Sequence, residues 1–155
     1  MPADEIEIEI VSAPFDGPDA RLLRDELTAD LHGRYGKETE PGVKPTAADL
    51  LVFLVARDRD GAPLGCGGLR RLDADTVELK RMYVRPVGRG RGIARRLLAA
   101  LEAQAARHGA KRVLLETGEL QHEAISLYGS SGYGPVPCWG AYADSPISRC
   151  FGRDL

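Results

Sequence analysis

The chain has 155 residues, 43% hydrophobic and 28% charged, which is the balance of one globular domain spanning 1–155 rather than of a disordered chain. No apolar run approaches the roughly 20 residues that cross a bilayer, and the acidic start, Met1-Pro2-Ala3-Asp4-Glu5, lacks the apolar core of a secretory leader. The net charge of −2 conceals an asymmetry: residues 1–40 are acidic, whereas Lys80, Arg81, Arg85, Arg89, Arg91, Arg95 and Arg96 crowd residues 80–96 without one acid, so an anion is the expected partner there.

Glu5 to Val11 alternates charged and apolar residues, the period of a half-buried strand. Asp19 to His32 carries Leu22, Leu23, Leu27 and Leu31 at helical spacing, and Gly33 is the expected stop. Residues 36–47 read as a polar loop, followed by a short helical turn near Thr46–Leu50. Leu50–Ala56 is a buried-strand run. Asp58-Arg59-Asp60-Gly61 is its hairpin turn, and Ala62–Leu72 is the return strand, where Gly65, Gly67 and Gly68 predict a bulge or close packing. Thr76–Val84 completes an antiparallel meander, because turns this short allow no crossover. Gly92 to Arg107 has one apolar stripe (Ile93, Leu97, Leu98, Leu101, Ala105) and is the strongest helix. Val113–Thr117 is a short strand reached through that helix, so it can lie parallel to the preceding one. A helix over Glu123–Ser131 and strands over Tyr133–Cys138 and Ile147–Phe151 close the chain. The expected class is mixed α/β (α+β), with about seven strands and about four helices. Cys66, Cys138 and Cys150 are widely spaced and odd in number, which predicts reduced thiols, no zinc site and a cytoplasmic setting.

Arg89-Gly90-Arg91-Gly92-Ile93-Ala94 joins a strand to the strongest helix. The first N–H groups of a helix lack intrahelical acceptors, and its dipole places partial positive charge at the same end. Glycines let an anion approach the backbone, and arginines add charge. A pyrophosphate suits this turn; a flexible turn beside a solvated basic face would look the same. A P-loop is absent, since no Gly-x-x-x-x-Gly-Lys-Ser/Thr occurs. A dinucleotide fingerprint fails at Arg95, where its third glycine belongs.

These residues resemble a known family. Arg89-x-x-Gly92-x-Ala94 fits the Gln/Arg-x-x-Gly-x-Gly/Ala signature of the GNAT acyltransferases. Val77–Val84 followed by Arg85-Pro86 is similar to that family's fourth strand, and Leu114–Gly118 to its fifth. Gln121-His122-Glu123-Ala124-Ile125-Ser126-Leu127-Tyr128, running on to Gly132-Tyr133, resembles its later motif. The resemblance implies a mostly antiparallel sheet in which the fourth and fifth strands run parallel and splay apart, with acetyl-CoA as cosubstrate and no metal.

By the same resemblance, the backbone of Met82, Tyr83 and Val84 pairs with pantetheine, and an N–H near Met82 or Tyr83 receives the developing oxyanion. The segment Arg89, Gly90, Arg91, Gly92, Ile93 and Ala94 holds pyrophosphate. Gln121 stands where many members carry an Asn that contacts pantetheine. Tyr128 matches the tyrosine beside the coenzyme sulfur and becomes the general acid; alternatively it is a half-buried aromatic. Glu78 is the first candidate for general base and Glu116 the second, with a water as a third route. The competing role for Glu78 is an ion pair with Lys80 or Arg81.

His108 and His122 read as helix-end residues. The cysteines lack a neighbouring His–acid pattern, so attack is expected to be direct, without an acyl-enzyme. Residues 27–46 and the loop 138–146 are expected to line the acceptor pocket, with Trp139 and Tyr142 as an aromatic wall or as a plug over the sheet end. Acids such as Asp30, Glu38 and Glu40 would suit a cationic amine. The implied function is acetyl transfer to a primary amine; the alternative is a non-catalytic acyl-CoA-binding module. The arginines lack interleaved aromatics, which counts against nucleic acid, and nothing points to a membrane partner. A homodimer through the last strands is expected by analogy of fold.

Overall fold

The computed structural model describes residues 7–36 and 44–155. Their order is β1 (Glu9–Ser12), α1 (Pro18–Tyr35), β2 (Leu50–Arg57), β3 (Pro63–Arg71), β4 (Thr76–Val84), α2 (Ile93–Arg107), β5 (Arg112–Gly118), α3 (His122–Ser130), β6 (Gly134–Pro135) and β7 (Ser148–Asp154). Single 3-10 turns at Pro86–Gly88 and Gly140–Tyr142 complete it. One seven-stranded sheet has the order β1-β2-β3-β4-β5-β7-β6. Every neighbouring pair is antiparallel except β4 and β5.

Both faces of the sheet are covered, which is why β2 reads as a continuous apolar run. Leu54 and Ala56 belong to the core that holds Leu97, Leu98 and Leu101 of α2. Phe53 and Val55, on the alternate face, pack with Leu23 and Leu27 of α1. The period of two within the run sends successive side chains to opposite helices. The β3 glycines permit close approach: a Cβ at Gly67 would stand 2.7 Å from Leu101 Cδ1, and one at Gly65 2.8 Å from the Tyr83 carbonyl oxygen. A register shift between Cys66 and Gly68 opposite β4 supplies the expected bulge as well.

Several expectations are corrected. Helix α1 runs through Gly33, and the stop is Gly36, at φ 75° with its N–H on the His32 carbonyl at 2.7 Å. The last turn is held from outside, because Arg34 donates to the Leu120 carbonyl and to Glu123, each at 3.0 Å. The helical turn near Thr46 is one hydrogen-bonded turn, in which the Asp49 carboxylate accepts from the Thr46 N–H and hydroxyl at 3.1 Å. Three α-helices therefore stand among the described residues where about four were expected in the chain. Strand β6 is only two residues long, since Pro135 and Pro137 cannot donate to a ladder. The first strand is described from Glu9 onward, and Glu5 and Ile6 of its predicted range lie outside the described residues.

The expectation of three reduced thiols is overturned. Cys138 and Cys150 form a disulfide, with Cα atoms 5.3 Å apart, and Cys66 is the free, buried thiol. The pairing follows from the return of β6 onto β7, where Pro135 faces Phe151 and the Val136 N–H reaches the Cys150 carbonyl. Strand β7 is interior, flanked by β5 and β6, so the last strand is not itself a free edge.

Candidate functional site

Strands β4 and β5 are paired only from Thr76–Leu79 to Arg112–Leu115. Beyond that point β5 follows β7, with Glu116 opposite Cys150 and Gly118 opposite Ser148. Strand β4 follows β3, with Tyr83 opposite Cys66 and Val84 opposite Gly65. The divergence begins at Arg81, the one non-glycine residue with positive φ (59°) among the described residues. Arg81 takes up an extra position in the strand, so Leu79 and Met82 both join the α2 core while Tyr83 joins the α1 cluster. The sequence thus opens a cleft in the sheet with backbone edges on both sides.

Two cavities occupy the cleft. The larger, about 400 Å³, runs along Met82, Tyr83 and Val84 to Gly88, Arg89, Gly90, Gly92, Ile93 and Ala94. The smaller, about 120 Å³, lies between α1 and the ends of β4 and β5 and includes Leu31, His32, Tyr35, Glu116 and Thr117. They share Leu27, Met82, Gln121, Ala124 and Tyr128. The larger cavity ends on the N-terminus of α2, whose first helical return bond is the Arg96 N–H to the Gly92 carbonyl at 3.1 Å. The N–H groups from Gly90 to Arg95 make no hydrogen bond among the described residues and are available to an anion, whereas that of Arg89 donates to the Pro86 carbonyl at 3.2 Å. Gly90 and Gly92 have φ of 77° and 76°, and a Cβ on either would meet nothing within 4 Å, so it is the backbone conformation that requires glycine.

The seven clustered bases separate. Arg89 lines the larger cavity and anchors its Nε on the Val84 carbonyl at 3.1 Å. Arg95 lines it too, held by the Ser130 hydroxyl at 2.7 Å. Arg91 does not line it. Arg96 reaches the Ile8 carbonyl and Arg85 pairs with Glu26. Lys80 donates to the Tyr142 hydroxyl at 2.8 Å.

Tyr128 sits at the junction, 5% exposed, with its ring edge-on to Tyr133 at 5.8 Å. Burial pushes its phenol well above the ordinary tyrosine range, and its hydroxyl makes no hydrogen bond among the described residues. A protonated, unengaged hydroxyl there can donate to a group arriving in the cleft. Gln121 is also at the junction, but its Oε1 accepts the Gly118 N–H at 2.7 Å, so it braces the β5–α3 turn and leaves only its amide nitrogen for a ligand. His122 opens α3 and His108 closes α2.

Glu78 is 1% exposed and lines neither cavity. Arg70 donates to Oε1 and the Tyr142 hydroxyl to Oε2, each at 2.7 Å. The ion-pair partner is thus Arg70, across β3, with Lys80 at 3.9 Å. Glu116 faces the smaller cavity and accepts the Ser148 hydroxyl at 2.6 Å. Trp139 and Tyr142 pack edge-on at 5.2 Å, and neither lines the smaller cavity. Tyr142 instead bonds to Glu78 and Lys80 on β4, and Ile147 is the residue after the 138–146 loop that does line the cavity. Glu38 and Glu40 lie outside the described residues.

Sequence reasoning missed two features. Arg34 and Tyr35 bridge to the β5–α3 turn, the Leu120 N–H donating to the Tyr35 hydroxyl at 3.0 Å. Thr117, 3% exposed, has an Oγ1 without a hydrogen-bond partner. A helix predicted to stop at Gly33 hid the first, and an apolar strand pattern gave no signal for the second. Among the described residues no group of three His, Cys, Asp or Glu could hold a metal ion, and no helix is long and apolar enough to cross a membrane.

A sheet opened between two parallel strands, with a helix N-terminus at one end of the cleft and a separate cavity at the other, is the architecture of an acyltransferase with two substrates. The family described as acetyltransferase (GNAT) matches residues 20–133. An "IAA acetyltransferase" of Azospirillum brasilense is 41% identical over 136 residues, covering 86% of this chain and 88% of the relative. A Klebsiella pneumoniae protein provisionally described as an acyl-CoA N-acyltransferase superposes with a TM-score of 0.83 at 28% identity, over 96% of this chain and 97% of its own. The PaiA N-acetyltransferase of Thermoplasma acidophilum, solved in complex with coenzyme A, shares the fold with a TM-score of 0.71 at 17% identity, over 97% of this chain and 100% of its own. The chain belongs to the GNAT family of acetyltransferases.

Proposed function

We propose that this protein transfers an acetyl group from acetyl-CoA to a primary amine by direct attack within a ternary complex. The observation that carries the reading is the meeting of the two cavities at Met82 and Tyr128. Acetyl-CoA lies in the larger one, its pyrophosphate on the backbone of Arg89–Ala94 and its pantetheine along Met82, Tyr83 and Val84 as an added strand. Arg89 supplies charge, and the free amide nitrogen of Gln121 contacts the pantetheine arm. The amine enters through the smaller cavity.

The amine lone pair attacks the thioester carbonyl, and an N–H at Met82 or Tyr83 receives the oxyanion. The C–S bond then breaks, and the Tyr128 hydroxyl gives its proton to the leaving thiolate. The attacking nitrogen loses one proton. Of the two carboxylates, Glu78 is sealed by Arg70 and Tyr142, so we assign this role to Glu116, acting directly or through a water. A proton returned from Glu116 to Tyr128 through solvent resets the site. Glu78 then acts at a distance, by holding Arg70, Tyr142 and Lys80 in place.

A cytoplasmic location and homodimerisation through the exposed edge beside the last strands complete the reading. The test is a panel of primary amines, with IAA run beside it as a separate acceptor because of the Azospirillum relative's name, and free CoA as readout. Acetyl-CoA-dependent release of CoA with at least one amine is the expected result. Binding of acetyl-CoA with no release for any acceptor would leave a binding module instead.

A further inference from the structure

Among the described residues, two buried side-chain polar atoms have no hydrogen-bond partner, Arg24 Nε and Thr117 Oγ1. The Arg24 guanidinium lies over the Phe15 ring, 3.9 Å from its centre, and Arg24 lines neither cavity. Thr117 differs, because it lines the smaller cavity while only 3% exposed. Buried hydroxyls are nearly always paired, so one left over in the wall of a binding cavity points to a ligand as its partner.

The strand around Thr117 sharpens the point. Side chains alternate between the two faces of a strand, so Val113, Leu115 and Thr117 share a face. Val113 and Leu115 are core residues, each 1% exposed. The next position in that row suits another apolar side chain, and valine would fill nearly the same volume with no hydroxyl to desolvate. Leu115, opposite Leu79, is the last residue of β5 paired with β4. Thr117 is therefore the first residue of the row beyond the fork. Around the same cavity stand Met82 and Tyr128, at the junction with the larger one, and Glu116, the preceding residue. Thr117 does not line the larger cavity, so the unmatched hydroxyl belongs to the acceptor side.

We propose, resting on the reading that the smaller cavity takes the acceptor, that Thr117 holds the attacking nitrogen and selects primary over secondary amines. A primary amine has two N–H groups and one lone pair. Attack turns the lone pair to the thioester carbonyl, and one N–H gives its proton to Glu116 or a water. The other N–H donates to Thr117 Oγ1, which fixes the direction of the lone pair. As the C–N bond forms the nitrogen becomes cationic, so this hydrogen bond becomes charge-assisted and strengthens toward the transition state. An N-methyl amine carries a methyl group in place of that N–H and leaves the hydroxyl desolvated and unpaired.

The experiment compares intact wild type, Thr117→Val and Thr117→Ser on the best primary amine of the panel and on its N-methyl derivative. Acetyl-CoA is saturating and free CoA is the readout. Valine removes the hydroxyl and serine keeps it. Thr117→Val is expected to lower kcat/KM about tenfold for the primary amine, mostly in kcat, and less than about twofold for the N-methyl amine. Thr117→Ser is expected to keep the wild-type preference within about threefold. The KM for acetyl-CoA stays within about twofold, and the Tm of Thr117→Val holds or rises, which a packing role would not give. A second readout needs no turnover: benzylamine is expected to raise the Tm of the CoA-saturated wild type more than that of CoA-saturated Thr117→Val. An undiminished kcat/KM for the primary amine in Thr117→Val, equal losses on the two amines, or the same loss in Thr117→Ser overturns the inference and leaves acyl transfer standing. If no amine is turned over, equal Tm shifts overturn it. If acetyl-CoA itself leaves Tm unchanged, the donor reading fails and takes this inference with it.

Discussion

Tyr128→Phe separates chemistry from packing. The hydroxyl is buried at the junction of the two cavities and bonds to nothing among the described residues. Removing it therefore forfeits no hydrogen bond and relieves a desolvated polar group, an effect between zero and about 3 kcal/mol in favour of the fold. In a domain of this size each 1 kcal/mol moves Tm by about 2–4 °C, so Tm should hold or rise. Catalysis should fall by about 10²–10⁴-fold, the usual contribution of a positioned acid, or about 3–5 kcal/mol of barrier. KM for acetyl-CoA should change less than about threefold. The pH dependence has a definite sign. Burial raises the phenol in the folded state above its ordinary value of 10.0, so Tyr128 stays protonated through neutral pH and kcat shows no alkaline limb from it below about pH 10. Above that the unfolded chain ionises first, so wild-type stability declines with rising pH and the Phe variant declines less. Initial rates of free thiol release and thermal melts read out both effects. An unchanged kcat, or a Tm lowered as much as the activity, would refute the acid role.

Other outcomes follow from single contacts. An alanine Cβ at position 118 would fall on the Tyr35 hydroxyl and 2.6 Å from its Cζ, so Gly118→Ala should cost about 1–3 kcal/mol by thermal melt. Adding Tyr35→Ala should recover part of that loss, and strictly additive losses would count against the clash. The Cys138–Cys150 bridge closes a separation of 12 residues; loops near this length contribute about 3 kcal/mol. Dithiothreitol should accordingly lower Tm by several degrees, and alkylation without reductant should label Cys66 alone once the chain is unfolded; three labelled thiols would contradict the bridge. Arg89→Ala should raise KM for acetyl-CoA about tenfold with kcat nearly unchanged, whereas Arg91→Ala, outside the cavity lining, should stay within about twofold. Equal effects from the two substitutions would refute the division of the basic cluster.

The local pattern was legible where burial alone decides it. The α2 stripe Ile93, Leu97, Leu98, Leu101 and Ala105 is the buried set, and the meander from β2 to β4 follows its hairpin turns. The glycine–arginine turn was legible because a helix N-terminus preceded by αL glycines is a local device. What escaped depends on contacts distant in sequence. Gly33 cannot announce that Arg34 will be held by Glu123, 89 residues on. The fate of Glu78 rests on Tyr142, 64 residues away, and the Cys138–Cys150 bond rests on how β6 lies along β7. The resemblance located Glu78 on its strand, but only tertiary contacts reveal that both of its oxygens are already engaged.

The central claim is that the cleft between β4 and β5, ending on the N-terminus of α2, binds acetyl-CoA. Calorimetric titration of the intact protein with acetyl-CoA tests it most directly. The account predicts one saturable site per chain, weakened by added salt as phosphate contacts require and weakened at least tenfold by Ala94→Glu, which sets a carboxylate at the anion-binding end of the cavity. Absence of binding, or equal binding by wild type and Ala94→Glu, would contradict it.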